Sequence, residues 1–307
     1  MFNFDNFLQL TPIMLGREKV FTASPSSPII IEWWKPHPVY RLHHHVGFEE
    51  FAIVRHGFCI HYHRNQFELL TLGDAAFIGK TNPHGYVFTN KMALFNIVFS
   101  SQYFVNDFPQ LQELLKELKE LSLNNIHLKI SPRTLKQILL IVYTLENECS
   151  QFDNLSSVSM LSSFLQVTLM MLRDNNPTYN SPSKLPPNHD PHLEELIHII
   201  DMIRNNIHKP IKNITDIIDD SHLNTKTMQR YFQKNLHISL YQFITLQKLV
   251  ITMNTILKNP KESLVTITEE MGYSNYRSFA RNIDNFFQLS PKRFQEKVLA
   301  ISNLTCY

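Results

Sequence analysis

Glycine is scarce in this chain: seven in 307 residues, of which Gly16, Gly47, Gly57, Gly73, Gly79 and Gly85 precede residue 86 and Gly272 stands alone beyond it. Neither G-x-G-x-x-G nor G-x-x-x-x-G-K-[ST] occurs, which excludes the usual phosphate-cradling loops. Positive-φ turns call for glycine and helix interiors avoid it, so its placement predicts a strand-rich first part and a helical remainder. Cysteine is rarer still. Cys59, Cys149 and Cys306 lack C-x-x-C spacing, which excludes a disulfide framework or thiolate zinc site and fits a reducing cytosol. No apolar run approaches the ~20 residues of a membrane span. The opening MFNFDNFLQL lacks the basic flank and apolar core of a signal peptide, so a cytoplasmic location is expected. Net charge is only +2, and 43% hydrophobic with 18% charged residues is the composition of a globular chain with a real core.

From about 29 to 100 the chain offers IIIEWW, FEEFAIV, FCIHYH, FELLTL, AAFIG, GYVFT and LFNIVF between turn residues. Such closely spaced β-branched and aromatic runs predict a compact antiparallel sandwich or barrel. Helical periodicity follows in PQLQELLKELKEL and in SPRTLKQILLIVYTLENE, the latter opened by Ser131 as N-cap and Pro132 at the first helical position. SSVSMLSSFLQVTLMMLRD reads as a third helix. These helices either cover the sheet or pair with a second subunit. Residues 174–191, DNNPTYNSPSKLPPNHDP, hold five prolines and no periodicity, as an interdomain linker does. Three regions result: a sheet with appended helices over 1–173, the linker over 174–191, and an all-α domain over 192–307 that reads as seven helices, the first lined by Leu193, Leu196, Ile197, Ile200, Ile203 and Ile207.

Two segments of the helical region share a plan. NITDIIDDSHLNTKTMQRYFQKNL has a short helix, a turn at His222 and Leu223, a cap at Asn224 and a second helix; VTITEEMGYSNYRSFARNIDNFF repeats it with its turn at Gly272 and Tyr273 and its cap at Ser274. That is helix-turn-helix spacing, in which the second helix enters the major groove of DNA. The exposed groove-facing residues would be Lys226, Gln229 and Arg230 on the first unit and Tyr276, Arg277 and Arg281 on the second. Arginine and glutamine suit bidentate reading of guanine and adenine, although Lys and Arg on a helix are often just a solvated face. The connecting helix, SLYQFITLQKLVITMNTILKN, spans roughly 28 Å, comparable with the ~34 Å between successive grooves on one face of B-DNA. Residues 192–307 hold 14 Lys and Arg against 11 Asp and Glu, a formal +3 that predicts modest, salt-sensitive affinity.

On MGYSNYRSFARNIDNFFQLSPKRF, the helical region resembles the AraC/XylS family of transcription regulators. Departures from the family pattern stand at Ile218, Thr252 and Thr268 for alanine, His222 and Gln288 for glycine, Lys248 for arginine, and Asp284 for a basic residue. The first half, on HHHVGFEEFAIVRHGFCIHYH, LGDAAFIGKTNPHGY and LFNIVF, is similar to the cupin-type sensing domain of that family, and most to the activators of L-rhamnose operons. The resemblance implies an α+β chain: a cupin-like β-barrel with appended helices, then two helix-turn-helix units joined by a linker helix. It implies a regulator, expected to be an activator of a carbohydrate-use operon, whose partners are a double-stranded DNA operator, a sugar-like effector, RNA polymerase and a second copy in a homodimer.

His43-x-His45, then Glu50 and Gly57, has the spacing of the first cupin metal motif, and Gly73-Asp74 followed by His84 supplies the last ligand position. Three readings are open. His43, His45, Glu50 and His84 line an effector pocket, or bind a divalent metal such as Fe, Mn, Ni or Zn, or are histidines satisfied in the core. No resident cofactor is otherwise expected. His44 should turn away, and His56, His61 and His63 are expected to be strand or surface residues without a special role. A second class of function, a metal-dependent cupin enzyme such as an isomerase or dioxygenase using the same four residues, competes with the regulator.

Overall fold

The computed structural model describes residues 7, 13–16, 29–34, 40–80, 83–100, 109–124, 128–149, 159, 163–164, 167, 191–207 and 223–304. His222, the helix expected to open the first helix-turn-helix unit and all of the expected linker but Pro191 lie outside them, as does most of the third helix expected over 156–174. The strands are β1 (Ile13–Gly16), β2 (Ile29–Trp34), β3 (Tyr40–Val46), β4 (Glu49–His63), β5 (Gln66–Thr71), β6 (Asp74–Ile78), β7 (His84–Phe99) and β8 (Leu128–Lys129). The helices are α1 (Pro109–Asn124), α2 (Pro132–Cys149), α3 (Pro191–Asn206), α4 (Thr225–Leu236), α5 (Leu240–Lys258), α6 (Leu264–Glu270), α7 (Tyr276–Phe287) and α8 (Pro291–Leu304). The chain is thus a mixed fold: a mostly antiparallel sheet, in which only β1 and β3 pair in parallel among the described strands, with its last strand β8 between α1 and α2 and the remaining helices after it.

The spine of the sheet is the antiparallel pair β4 and β7, and it absorbs runs that read as four strands. FEEFAIV and FCIHYH merge into the 15 residues of β4, and GYVFT and LFNIVF into the 16 of β7. The register shifts between Val54 and Phe58, and Gly57 and Lys91 have φ of 69° and 45°, so the strands bend there instead of ending. A Cβ on Gly57 would lie 2.4 Å from the Asn90 carbonyl oxygen, which leaves glycine as the residue that fits. The bend makes two wings: β3, β7, β4 and β5 on one side, and β2, β7, β4, β6 and β8 on the other. β4 turns into β5 through Arg64 and Asn65, both at positive φ, as a two-residue hairpin loop requires.

Among the described residues the sheet has ends, β1 and β8, and does not close into the expected barrel. The outer edge of β5 is occupied by a side chain of the helical half instead of by another strand: Phe67 N–H donates to Asn254 Oδ1 and Asn254 Nδ2 donates back to Phe67 O.

Three apolar clusters follow from strand alternation. Phe51, Ile53, Phe77, Phe95 and Ile97 are covered by Leu115 and Leu118 of α1 and Leu135 and Ile138 of α2, so these helices cover the sheet. Phe58, Ile60, Tyr62, Phe67 and Leu69, on the other wing, share one core with Ile199 and Ile203 of α3 and Phe243, Leu249 and Val250 of α5. The helical half is therefore docked on the sheet through buried apolar surface. The opposite face carries Ala52, Val54, Cys59, Leu70, Ala76, Tyr86 and Leu94, a cluster that joins both wings across the bend.

In the helical half, side chains cap the starts of four described helices. Asn224 caps α4, Ser239 and Gln242 form a reciprocal capping box on α5, and Ser263 caps α6. The cap of α7 is Asn275, whose side chain accepts from Ser278 N–H, one residue beyond the expected Ser274. Gln288, where the family has glycine, ends α7 at φ 54°, a left-handed conformation that costs a non-glycine residue roughly 1 kcal/mol. Thr252 and Thr268, which stand for alanine, return their buried hydroxyls to the carbonyls of Lys248 and Leu264.

Candidate functional site

Two surfaces carry chemistry. The first is the outer face of α4 and α7. Their apolar residues point inward, with Met228, Phe232 and Leu236 buried on α4 and Phe279, Ile283 and Phe287 on α7. The remaining periodicity leaves Lys226, Gln229 and Arg230, and Tyr276, Arg277 and Arg281, all exposed. α6, the turn at Gly272 with φ 66°, and α7 follow in the order and lengths of a helix-turn-helix. Arg277 and Arg281 line a hollow of about 860 Å³ with Ser274, Asn275, Ser278, Asp284, Ser290 and Pro291. Its rim combines two guanidinium groups with the N-terminal turns of α7 and α8, which presents cationic and N–H donor groups to an anionic ligand. Asp284 is the one acid among those lining residues and opposes them.

The second surface is buried, on the face of the sheet that joins the two wings. Cross-strand register sets out its rows: His43 opposite His84 opposite His63, and beside them Tyr40 opposite Tyr86 opposite His61 opposite Glu68. His43, His45 and His84 are at most 5% exposed and lie together, with Glu50 Oε2 3.5 Å from His45 Nε2. His61 and His63, expected to be incidental, are as deeply buried and belong to the same group. His61 Nε2 lies 3.2 Å from His84 Nδ1, and its ring stacks on Tyr86 at 4.9 Å. The missed signal was parity: Cys59, His61 and His63 share one side of β4, while Phe58, Ile60 and Tyr62 take the other into the helical core. His44 is half-buried between its neighbours, and His56 bonds the Lys91 carbonyl away from this group.

The histidines are held neutral. Burial first, then the neighbouring histidines, lowers His45 to about 3 and pushes His84 well down; burial and Arg64 lower His63 to about 3. A neutral imidazole has one N–H, and His84 contacts His45 Nε2 at 3.1 Å and His61 at 3.2 Å, so it donates to one and accepts from the other. The nearby Glu50 carboxylate favours the proton on His45 Nε2, which sets the order His45 to His84 to His61. His45 Nδ1 is then a bare acceptor. It and both ring nitrogens of His63 have no hydrogen-bond partner. Unsatisfied polar atoms in a buried site are costly unless a ligand meets them.

The same residues could hold a metal. His43 Nδ1 is bonded to the Arg41 carbonyl at 3.0 Å, which fixes the proton there and leaves Nε2 free to ligate. One ligand atom from each of His43, His45 and His84 lies within 4.8 Å of the others. Two ligands on one ion sit no more than about 4.2 Å apart, twice a ~2.1 Å bond, so the set fits after a small contraction.

Residues 218–297 match the family model described as "Helix-turn-helix domain". Over 295 residues the chain is 25% identical to the HTH-type transcriptional activator RhaR of Mannheimia succiniciproducens, covering 94% of this chain and 99% of that protein. Over 276 residues it is 22% identical to the HTH-type transcriptional activator RhaS of Enterobacter sp. (strain 638), covering 90% and 95%. Among solved structures, ToxT from Vibrio cholerae O395 aligns with 88% of this chain and 98% of that one at 9% identity and a TM-score of 0.31, a likeness too loose to weigh. No described helix is long and apolar enough to cross a membrane. A matched helix-turn-helix domain, in a chain that two HTH-type transcriptional activators follow almost end to end, makes this protein a DNA-binding transcription regulator.

Proposed function

We propose that the protein is a cytoplasmic, effector-responsive activator that reads a double-stranded operator with two helix-turn-helix units, α4 belonging to the first and α6–α7 to the second. The observation that carries this is the exposure of Lys226, Gln229, Arg230, Tyr276, Arg277 and Arg281 on α4 and α7, while Met228, Phe232 and Leu236 of α4 and Phe279, Ile283 and Phe287 of α7 are buried. Arg277 and Arg281 take guanine edges or phosphates, Gln229 and Arg230 read bases, and Lys226 serves either. The domain division, 1–173 for sensing, 174–191 as linker and 192–307 for DNA, follows the same reading, as do a homodimer and contact with RNA polymerase.

The buried face of the bent sheet, cupin-like in its motif spacing, is the effector site. Neutral imidazoles, the Glu50 carboxylate and the Tyr86 phenol offer several convergent donors and acceptors inside an apolar surround, which suits a small polyol or sugar. The full-length relatives being rhamnose-type activators supports a sugar. A divalent metal on His43, His45, Glu50 and His84 is a second reading, favoured by the bare Nε2 of His43; such an ion would coordinate effector hydroxyls.

Fluorescence anisotropy against operator fragments selected by the full-length protein tests the main reading. Arg277→Ala and Arg281→Ala should each weaken binding by about 10- to 100-fold if they read bases. Unchanged affinity for both at physiological salt would sink the assignment. Metal content of the purified protein separates the two pocket readings: near-stoichiometric metal supports the second, and none leaves direct binding.

A further inference from the structure

Strand β5 has two working sides. Glu68 stands opposite His61 in register, so its side chain lies on the pocket face, and Leu70 packs there with Cys59 and Tyr86. Phe67 and Leu69 turn the other way, into the core shared with α3 and α5. The backbone edge of β5 is held by the helical half. Asn254 of α5 accepts from Phe67 N–H at 2.7 Å and donates to Phe67 O at 2.8 Å, so one side chain supplies the pair of bonds a neighbouring strand would make. Arg204 of α3 donates through Nη2 to Leu69 O at 2.6 Å and to Asp74 Oδ2 at 2.6 Å, and through Nη1 to Asp74 Oδ1 at 3.1 Å. Asp74 in turn accepts from Thr71 N–H, which ties the end of β5 to the same guanidinium.

We propose that β5 is the coupling element of this regulator: what occupies the pocket face at Glu68 and Leu70 is passed through the strand to Asn254 and Arg204, and so to α5, the helix between the two DNA-reading units. A strand cannot shift toward one face without moving the backbone atoms at its edge, and bonds of 2.6 to 2.8 Å leave those atoms little slack. Free β edges are normally blunted by charge or by a covering element. Here the covering element is the helical half itself, held by polar bonds that a small displacement breaks. Coupling of this kind is reciprocal, so a change at Asn254 must also be felt in the pocket.

The proposal rests on the pocket being the sensor, but its test needs neither effector nor DNA, so either can fail without the other. Hydrogen exchange is measured by mass spectrometry on the full chain. Glu68→Gln keeps the shape and replaces the carboxyl group on the pocket face with an amide; Leu70→Val is the second variant, should the first fold poorly. Exchange across residues 240–258 should quicken by about fivefold, the effect of roughly one lost bond, while residues 276–304 stay as in the wild type. In the reverse direction Asn254→Ala should raise carbethoxylation of His61 and His63 by a similar factor and leave His56 unchanged. No change in 240–258, or an equal change throughout 276–304, overturns the coupling. So does an Asn254→Ala protein whose pocket histidines react as before.

Discussion

Replacing Asp74 with alanine is expected to cost the chain about 4 kcal/mol. Asp74 and Arg204 are 3% and 11% exposed at their side chains, so solvent cannot replace what either loses. Removing one partner of a buried ion pair typically costs ~3–5 kcal/mol, because the other charge stays buried. Leaving the Thr71 N–H without its acceptor adds ~1–3 kcal/mol in isolation. Both losses fall on the same carboxylate, since Asp74 Oδ2 serves Thr71 and Arg204 at once, and Arg204 keeps the Leu69 carbonyl and the Asp201 carboxylate at 3.8 Å, so the two overlap and do not sum. Urea unfolding, followed by tryptophan fluorescence and far-UV circular dichroism, measures the cost. The chain's two tryptophans, Trp33 and Trp34, report on the sheet, and coincident transitions are required before the free energies are compared. The double variant Asp74→Leu with Arg204→Met removes both charges and should recover part of the loss. A single variant within ~1 kcal/mol of wild type, or a double variant no better than the single, would refute the reasoning from buried charge.

Stability should fall on mild acidification. His45 and His63 are held at about 3 by burial, with His43 and His84 shifted the same way, against ~6.5 in the unfolded chain. The unfolded chain therefore takes up protons first: the contribution is intact above pH ~6.5 and is lost toward pH 3, by up to ~1.4 kcal/mol per pH unit for each ring. A melting temperature at pH 5.5 equal to that at pH 7.5 would contradict a neutral pocket. Gly57→Ala should destabilise by at least ~2 kcal/mol, because it meets both the positive φ and the Asn90 carbonyl; a neutral result in thermal melts would mean that the bend relaxes freely. Asp284→Lys should tighten DNA binding and steepen its salt dependence by about one unit in log–log slope, since it replaces the acid facing Arg277 and Arg281 with a further cation; a slope unchanged in titrations from low to physiological salt would place residue 284 off the phosphate path.

The helical half was legible because its determinants are local. An N-cap residue sits next to the helix it starts, so Asn224 could be read directly, and the stripe of Leu193, Leu196, Ile197, Ile200 and Ile203 is likewise written in adjacent turns of α3. The one-residue error at Ser274 arose because Ser274 and Asn275 are both good caps, and the choice depends on which side chain reaches Ser278 N–H. The sheet was legible as strands but not as a shape. Gly57 reads equally well as the end of a strand or as a bend within one, and the distinction lies in what Asn90 and Lys91 do across the ladder.

On the buried face, motif spacing picks out His43, His45, Glu50 and His84, whereas nothing in the spacing marks His61 and His63. Their inclusion depends on which face of β4 is covered by the helical half, a fact about residues nearly two hundred positions away such as Asn254 and Phe243. The sequence by itself determined that strands dominate the first part and helices the second, the cap at Asn224 and the grouping of His43, His45, Glu50 and His84, since each depends on neighbours within a turn or on motif spacing. Only the tertiary structure decided that the sheet bends without closing, that five histidines share one buried face, and that Asn254 and Arg204 hold the edge of β5. These are cross-strand and cross-half contacts, set by the packing of surfaces that no local pattern pairs.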